Sequence, residues 1–288
     1  MIINYSKKDL FEKDRSFPFS IQEATINEDF PIHSHEFSEL VIVLDGTALH
    51  IIDDEGYLIS SGDVYVLKGN TIHGFKDVDN LHIINIMYDY NYLLYEEENL
   101  KQMPGFQALF LLEPIYRKEY GFKSKLKLDF YNQQLILNII ETMLYEFKNK
   151  REGYDSILRA YLNQLIVQLS RVYKENMKAG KDTLFRFAEL AAFIELNFNK
   201  KITVNELSQK IGFSERHFSR IFISIYDTSP MEYIMRLRLK QSCILLKNRD
   251  LNITDVAVKC GFEDSNYFTR QFKKYYKVTP TLYRHIQT

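Results

Sequence analysis

Residues 253–280 read ITDVAVKCGFEDSNYFTRQFKKYYKVTP, and residues 202–230 read ITVNELSQKIGFSERHFSRIFISIYDTSP. The same pattern therefore occurs twice near the end of the chain, with a Gly–Phe pair inside each copy. Glycine just after a helix supplies the left-handed conformation that stops it. Apolar residues at helical spacing resume after each Gly–Phe pair. Each copy is predicted to be a short helix, a turn and a second helix that ends before a proline, which is a helix-turn-helix.

The second helix of each copy divides into a buried face and an outward face. Apolar residues at helical spacing predict the buried stripe, which is Phe218, Ile221, Phe222 and Ile225 in the first copy and Phe268, Phe272 and Tyr275 in the second. The candidate DNA-binding residues lie outside that stripe: Arg216, Ser219, Arg220, Ser265, Asn266, Thr269 and Arg270. Ser214 and Asp264 are the predicted N-caps. Arginine, asparagine and short hydroxyl side chains contact base edges and phosphates, so these helices are predicted to read DNA. An ordinary helical repeat with solvated charged faces is the alternative.

Charge and spacing also favour a nucleic-acid partner for this end of the chain. Residues 181–288 contain 18 Lys and Arg against 11 Asp and Glu, a net charge of +7, whereas residues 1–180 contain 19 against 27, a net charge of −8. A basic segment beside an acidic remainder indicates a polyanionic partner for one end only. A spacer helix predicted over residues 231–250 would be about 30 Å long, which approaches the ~34 Å of one DNA turn.

These features together resemble the DNA-binding domain of AraC-family transcriptional regulators. The resemblance covers residues 185–286 and includes the ending KVTPTLYR at 277–284. It implies that the seven outward residues are the contacts to promoter DNA. It also implies a homodimer that works with RNA polymerase, and an activator rather than a repressor.

The N-terminal part has a different pattern. Residues 20–90 contain short runs rich in Val, Ile and Tyr between turn signals, which predicts an antiparallel barrel or sandwich. FPIHSHEFSELVIVLDG at 30–46 has the spacing H-x-H-x3-E-x6-G, and Gly62, Asp63 and His73 follow it. The two pieces resemble the two motifs of the cupin barrel, although Lys68 stands where the second motif usually has proline.

The candidate effector-binding residues are those that such a barrel would turn inward. They are His33, His35, Glu39, Tyr65, His73 and Asn85. His33, His35 and Glu39 are separated by even numbers of residues, which predicts that they lie on one strand and face the same side. His50 and His82 are predicted at the surface. In metal-dependent cupins the matching three His and one Glu bind a divalent ion. The residues leave three roles open: metal binding, direct contact with a small polar ligand, and structural hydrogen bonds at the barrel rim.

A rival function is a metal-dependent cupin enzyme, a dioxygenase or isomerase, fused to a DNA-binding module. The attached DNA-binding part favours a sensor, so the prediction includes no catalytic residue, no metal and no cofactor. PGFQALFLLEP at 104–114 and HSHEFSELVIVLDGTALHIID at 33–53 resemble AraC-type regulators of L-rhamnose use. This resemblance implies a monosaccharide effector, L-rhamnose in particular.

The sequence predicts an α+β protein of three parts. Residues 1–127 form the cupin-like effector domain, residues 128–180 a helical linker that dimerises, and residues 181–288 an all-α tandem helix-turn-helix domain. No apolar run approaches the roughly 18 residues of a membrane helix, and the N-terminus does not resemble a signal peptide. The two cysteines, Cys243 and Cys260, form neither a disulfide framework nor a zinc motif. A cytoplasmic protein without a membrane partner is therefore expected.

Overall fold

A computed structural model describes residues 2–11, 17–93, 98–116, 126–177 and 183–286. The chain forms two compact units, residues 1–189 and residues 190–288. The first contains all the described strands and the second is helical, which confirms the predicted α+β class. The predicted boundary at residue 180 lies outside the described residues. Among the described helices, none is long and apolar enough to cross a membrane.

One eight-stranded sheet forms the body of the first unit. Its strands are β1 (Ile3–Tyr5), β2 (Phe19–Ile26), β3 (Phe30–His35), β4 (Ser38–Ile52), β5 (Glu55–Ser60), β6 (Asp63–Leu67), β7 (His73–Tyr88) and β8 (Leu126–Lys127). The strand order is β1-β3-β7-β4-β6-β8, with β2 also on β7 and β5 also on β4. The described pairs within residues 20–90 are all antiparallel, as predicted, and β1, which lies before this range, pairs with β3 in parallel.

The long strand β7 organises the sheet. It pairs with β4 along one edge, while β3 and β2 share its other edge. Register shifts in β4 after Val43 bend the long β4·β7 ribbon. The inner faces of these strands enclose an apolar cluster of Val41, Val43, Ala48, Ile59, Tyr65, Phe75, Leu81 and Ile83. The sheet therefore holds an apolar core on its inner face, as a cupin-like barrel or sandwich requires, but its end strands β1 and β8 do not pair with each other among the described residues, so it is not closed.

Helices also belong to the first unit, and several of them contact the sheet. The described ones are α1 (Lys7–Phe11), α2 (Tyr90–Leu93), α3 (Glu98–Lys101), α4 (Pro104–Phe106), α5 (Glu113–Tyr116), α6 (Phe130–Asn149) and α7 (Tyr154–Asn176). A buried π-helical segment, Gln107–Leu112, joins α4 to α5 and contacts both β6 and α7. The sequence predicted only loop and short helix for residues 91–127, and in the described part of this range residues 105–112 supply a buried layer that contacts both the sheet and α7.

Seven helices lie in the described residues 183–286. They are α8 (Thr183–Asn197), α9 (Val204–Ile211), α10 (Glu215–Tyr226), α11 (Pro230–Leu246), α12 (Ile253–Lys259), α13 (Ser265–Tyr276) and α14 (Pro280–Ile286). The glycines that stop α9 and α12 have positive φ, 72° at Gly212 and 85° at Gly261. Ser214 and Asp264 accept hydrogen bonds from backbone N–H groups in the first turns of α10 and α13. Both predicted helix-turn-helix units are thus present.

Two details of this unit differ from the sequence prediction. Tyr275 was assigned to the buried stripe of α13, but it is 48% exposed, whereas Phe268 and Phe272 are fully buried. It lies three residues after Phe272, at the edge of the apolar stripe, and Tyr276 packs inside instead. The spacer helix α11 ends at Leu246 rather than at residue 250. The chain turns there because Asn248 accepts a hydrogen bond from the N–H of Asp250.

Candidate functional site

His33 and His35 alternate along β3 and both turn inward, with side chains at most 8% exposed. Glu39 is equally buried but lies on β4, after a bend at Glu36–Phe37. The prediction that all three residues share one strand is therefore wrong. β3 and β4 pair with opposite edges of β7, and the first residue of β7 is His73. The structure brings the two sequence motifs together through this shared strand.

Glu39 is the centre of the buried cluster. Its Oε2 atom is 2.9 Å from Nε2 of His35 and 3.1 Å from Nε2 of His73. Its Oε1 atom accepts a hydrogen bond from Nδ2 of Asn85 on β7. Burial alone raises the pKa of Glu39, but hydrogen bonds and positive charge from His35 and His73 hold this pKa well below its ordinary value. The side chain is therefore a carboxylate.

The imidazole rings of His33, His35 and His73 are all oriented by a backbone carbonyl. Nδ1 lies 3.0 Å from Pro31 O in His33, 2.7 Å from Phe37 O in His35 and 3.2 Å from Thr71 O in His73. A carbonyl can only accept, so each Nδ1 carries a proton and Nε2 is left to face its other partners. Burial, followed by the charge of His73, lowers the pKa of His33. Its ring is therefore neutral, with a lone pair on Nε2.

This arrangement attracts positive charge or hydrogen-bond donors. A bare Nε2 lone pair beside a carboxylate oxygen is repulsive, so a proton or a cation must lie between Glu39 and each of His35 and His73. The ligand atoms of these three buried residues all lie within 4.8 Å of one another. Imidazole and carboxylate suit divalent transition metals, and Nδ1–carbonyl bonds orient metal-binding histidines. The three residues therefore fit a divalent ion.

His50 was predicted at the surface, and this prediction is wrong. Its side chain is fully buried, with its ring 5.2 Å from that of Tyr65 and 5.8 Å from that of His73. Ala48, His50 and Ile52 are all buried on one face of β4, but the apolar residues between them hide this alternation in the sequence. Tyr65 is 3% exposed and reaches the cluster through His50. His82 is partly exposed and bonded to Glu23 at 2.8 Å, outside the cluster.

The second candidate surface lies on α10 and α13. Arg216 and Arg220 on α10 are exposed and Ser219 is half-buried, whereas Phe218 and Phe222 on the opposite side are buried. The short helix α9 begins with a capping box formed by Thr203 and Glu206, and it precedes α10 and packs against it. Three outward side chains follow one another on one side of α10, as periodicity predicted.

The matching surface of α13 has the same form. Asn266 and Arg270 are exposed, and Ser265 and Thr269 are half-buried. Oγ1 of Thr269 donates to the Ser265 carbonyl at 2.8 Å. The sequence prediction did not include His217 and Tyr267, the aromatic residues that lie three positions before Arg220 and Arg270. They occupy matching positions in the two repeats, but one is a histidine and the other a tyrosine, so the repeat did not show a common residue type there.

Comparisons with known protein families match both halves of the chain. Residues 21–87 match the family described as cupin domain, and residues 207–286 match the one described as helix-turn-helix domain. The chain is 25% identical over 283 residues to the HTH-type transcriptional activator RhaR of Mannheimia succiniciproducens, covering 98% of this chain and 97% of that protein. It is 26% identical over 267 residues to the HTH-type transcriptional activator RhaS of Citrobacter koseri, covering 91% and 90%.

Solved structures resemble the C-terminal part. The C-terminal domain of the response regulator yesN from Fusobacterium nucleatum is 32% identical, covering 33% of this chain and 93% of that one, with a TM-score of 0.32. The DNA-binding domain of AdpA in complex with a target DNA is 26% identical, covering 35% and 91%, with a TM-score of 0.34. The chain therefore has an N-terminal cupin domain and a C-terminal helix-turn-helix domain, and over nearly its whole length it is similar to HTH-type transcriptional activators, as its resemblance to AraC-family regulators implies.

Proposed function

We propose that the protein activates transcription in response to a small polar effector, a monosaccharide such as L-rhamnose, bound inside the cupin domain. The observation that carries this proposal is the buried polar cluster centred on Glu39. A sugar hydroxyl is both donor and acceptor, and polyol sites combine a few fixed polar groups with an apolar wall. Relatives named RhaR and RhaS, both transcriptional activators, support this choice.

The residues of the cluster have distinct roles in this proposal. The Glu39 carboxylate accepts hydrogen bonds from hydroxyl groups of the effector, and Asn85 fixes its orientation through Oε1. His33, His35 and His73 present Nε2 to the same region, with Nδ1 held by backbone carbonyls. Tyr65, placed beside His50, completes the wall. The apolar cluster around Val41 and Ile83 keeps water out and strengthens these contacts.

A divalent ion is the second way in which this cluster can bind a hydroxylated ligand. His35, Glu39 and His73 would hold it, and a bound ion would supply a Lewis acid that polarises a coordinated oxygen. The same residues would serve the rival function, a metal-dependent cupin enzyme. The relatives are regulators, which supports a sensor, and no catalytic role is proposed for any residue.

The proposed DNA contacts are the outward residues of the two recognition helices. They are Arg216, Ser219 and Arg220 on α10, and Ser265, Asn266, Thr269 and Arg270 on α13. Arginine can bind guanine in two-point fashion and asparagine can bind adenine, while hydroxyl groups reach phosphates. The exposure of Arg216, Arg220, Asn266 and Arg270 supports this assignment.

The remaining parts of the proposal concern organisation. Residues 1–127 would bind the effector, residues 128–180 would dimerise, and residues 181–288 would bind promoter DNA and contact RNA polymerase in the cytoplasm. Exposed aromatic side chains on α6, Phe130, Tyr131 and Tyr145, support a protein contact by this helix. Effector binding would shift the population toward a form in which both recognition helices of both protomers engage DNA.

A thermal-shift screen of monosaccharides tests the effector directly. A ligand that binds only the folded state stabilises it by about 2.7 kcal/mol at a hundred times its Kd. L-Rhamnose is expected to raise the melting temperature of the full-length protein, and D-glucose and L-arabinose serve as comparison sugars. No shift with any monosaccharide would contradict the proposed effector class.

A further inference from the structure

Each recognition helix carries an aromatic ring beside its outward arginine. His217 is the third residue of α10 and Tyr267 the third of α13, and an arginine follows three residues later in both. Nη2 of Arg220 is 3.2 Å from Nδ1 of His217. Cζ of Arg270 is 6.0 Å from the ring centroid of Tyr267. Residues three apart on a helix are neighbours, so the helical geometry itself favours both contacts.

In both units the aromatic residue contacts the N-cap residue and the phenylalanine of the turn. The N–H of His217 donates to Oγ of the N-cap Ser214 at 3.3 Å, and its ring lies edge-to-face against Phe213 with centroids 4.5 Å apart. The ring also has the Arg220 contact on its outer side. Because backbone, N-cap and turn phenylalanine restrict His217, it is more constrained than the long arginine side chain that it touches.

The second unit repeats this arrangement with different side chains. The N–H of Tyr267 donates to Oδ2 of the N-cap Asp264 at 2.9 Å, and its ring is 6.3 Å from that of Phe262. Phe262 belongs to the Gly–Phe turn, as Phe213 does in the first unit. The repetition of N-cap, turn phenylalanine, ring and arginine in two units of different sequence indicates a shared role.

The chemistry of the two contacts differs. A guanidinium group only donates hydrogen bonds, so in this contact Nδ1 of His217 accepts from Arg220. Tyr267 instead offers the negative face of its ring to the Arg270 cation. Both contacts keep the charged end of the arginine on the outward side of its helix.

We propose that His217 and Tyr267 are positioning residues that order Arg220 and Arg270 for DNA binding. This inference rests on the proposed DNA-reading role of the two arginines. A free arginine side chain loses many rotamers when it binds a base, and ordering it in advance lowers that entropic cost. The ring therefore raises affinity for the correct DNA sequence without contacting a base itself.

A double-mutant cycle in the full-length protein tests the inference. The probe is a duplex selected from a random-sequence library by the wild-type protein. His217→Leu is expected to weaken binding to this duplex by about 3- to 10-fold, the scale of ordering one long side chain. His217→Asn keeps an acceptor at the Nδ1 position and is expected to retain wild-type affinity. In the Arg220→Ala background, His217→Leu should cause no further loss.

The second unit gives an independent arm. Tyr267→Leu should weaken binding to the selected duplex by a similar factor, whereas Tyr267→Phe should retain wild-type affinity. In the Arg270→Ala background, neither change should weaken binding further. An equal loss from His217→Leu with and without Arg220 would show a merely structural role and overturn the inference alone. If Arg220→Ala and Arg270→Ala themselves leave affinity unchanged, the proposed DNA-reading role fails together with the inference. Melting temperatures of all variants identify those that do not fold.

Discussion

Nε2 of His73 lies 3.1 Å from Oε2 of Glu39, and this contact joins the two separate cupin-like motifs of the sequence. Asn85 reaches the other oxygen of the same carboxylate. A buried carboxylate with partners on both oxygens is fixed in position, and fixed polar groups are what an effector site needs. The same fixed carboxylate is also the reason why a cation is a possible occupant.

Glu39→Gln should remove the response to the effector. The change keeps the size of the side chain but replaces a carboxylate oxygen by an NH₂ group, which cannot accept from a sugar hydroxyl. The thermal shift caused by L-rhamnose should be lost, while binding of the selected duplex by the C-terminal unit remains. Glu23→Gln, at a partly exposed position on β2 bonded to His82, is the matched control and should respond like the wild type.

Chelation separates direct effector binding from metal-assisted binding. If sugar hydroxyls contact Glu39 directly, the L-rhamnose-induced shift should persist after treatment with EDTA. The measurement uses protein purified without a His-tag, and metal content is determined in parallel. About one metal ion per chain, together with loss of the shift after chelation, would instead support the divalent ion and strengthen the enzyme rival.

Arg270→Ala should weaken sequence-specific DNA binding by about 1–3 kcal/mol if the side chain reads a base. Affinity for a scrambled duplex should fall much less, since phosphate contacts are independent of sequence. Arg249→Ala removes the same charge from an exposed position between α11 and α12 and is the control. Fluorescence anisotropy at one defined salt concentration provides both affinities, and equal losses on both duplexes would contradict base reading.

The two aromatic residues of α13 should differ sharply in their effect on stability. Phe268→Ala removes a fully buried ring and should lower the free energy of unfolding by about 3–5 kcal/mol. Tyr275→Ala changes a side chain that is 48% exposed and should have a much smaller effect. Denaturant unfolding monitored by circular dichroism measures both, and similar losses would contradict the burial of α13 described above.

The helix-turn-helix units could be predicted from sequence because their signals are local. Gly212, Gly261, Ser214 and Asp264 each occupy a position where backbone conformation or an orphan N–H group requires that residue type. Tyr275 was misassigned because a tyrosine at the edge of an apolar stripe fits either side, and only the packing of its neighbours decides. Periodicity predicts a face but not its boundary.

The buried polar cluster around Glu39 was harder to predict because it depends on contacts between distant strands. Sequence spacing identified His33, His35, Glu39 and His73, yet it placed Glu39 on the wrong strand since the bend at Glu36–Phe37 has no glycine or proline signal. His50 was missed because one histidine among apolar residues does not reveal which face it occupies. The pairing of Asn85 with Glu39 depends on the register of β4 with β7, which the sequence does not encode locally.

In the proposed mechanism, the effector bound in the cupin domain controls DNA binding by the helix-turn-helix domain. Its most direct test is the affinity of the full-length protein for the selected duplex, measured by anisotropy with and without saturating L-rhamnose. We expect tighter binding with L-rhamnose, and no such change in Glu39→Gln. Equal affinity with and without a sugar that demonstrably binds the protein would contradict it.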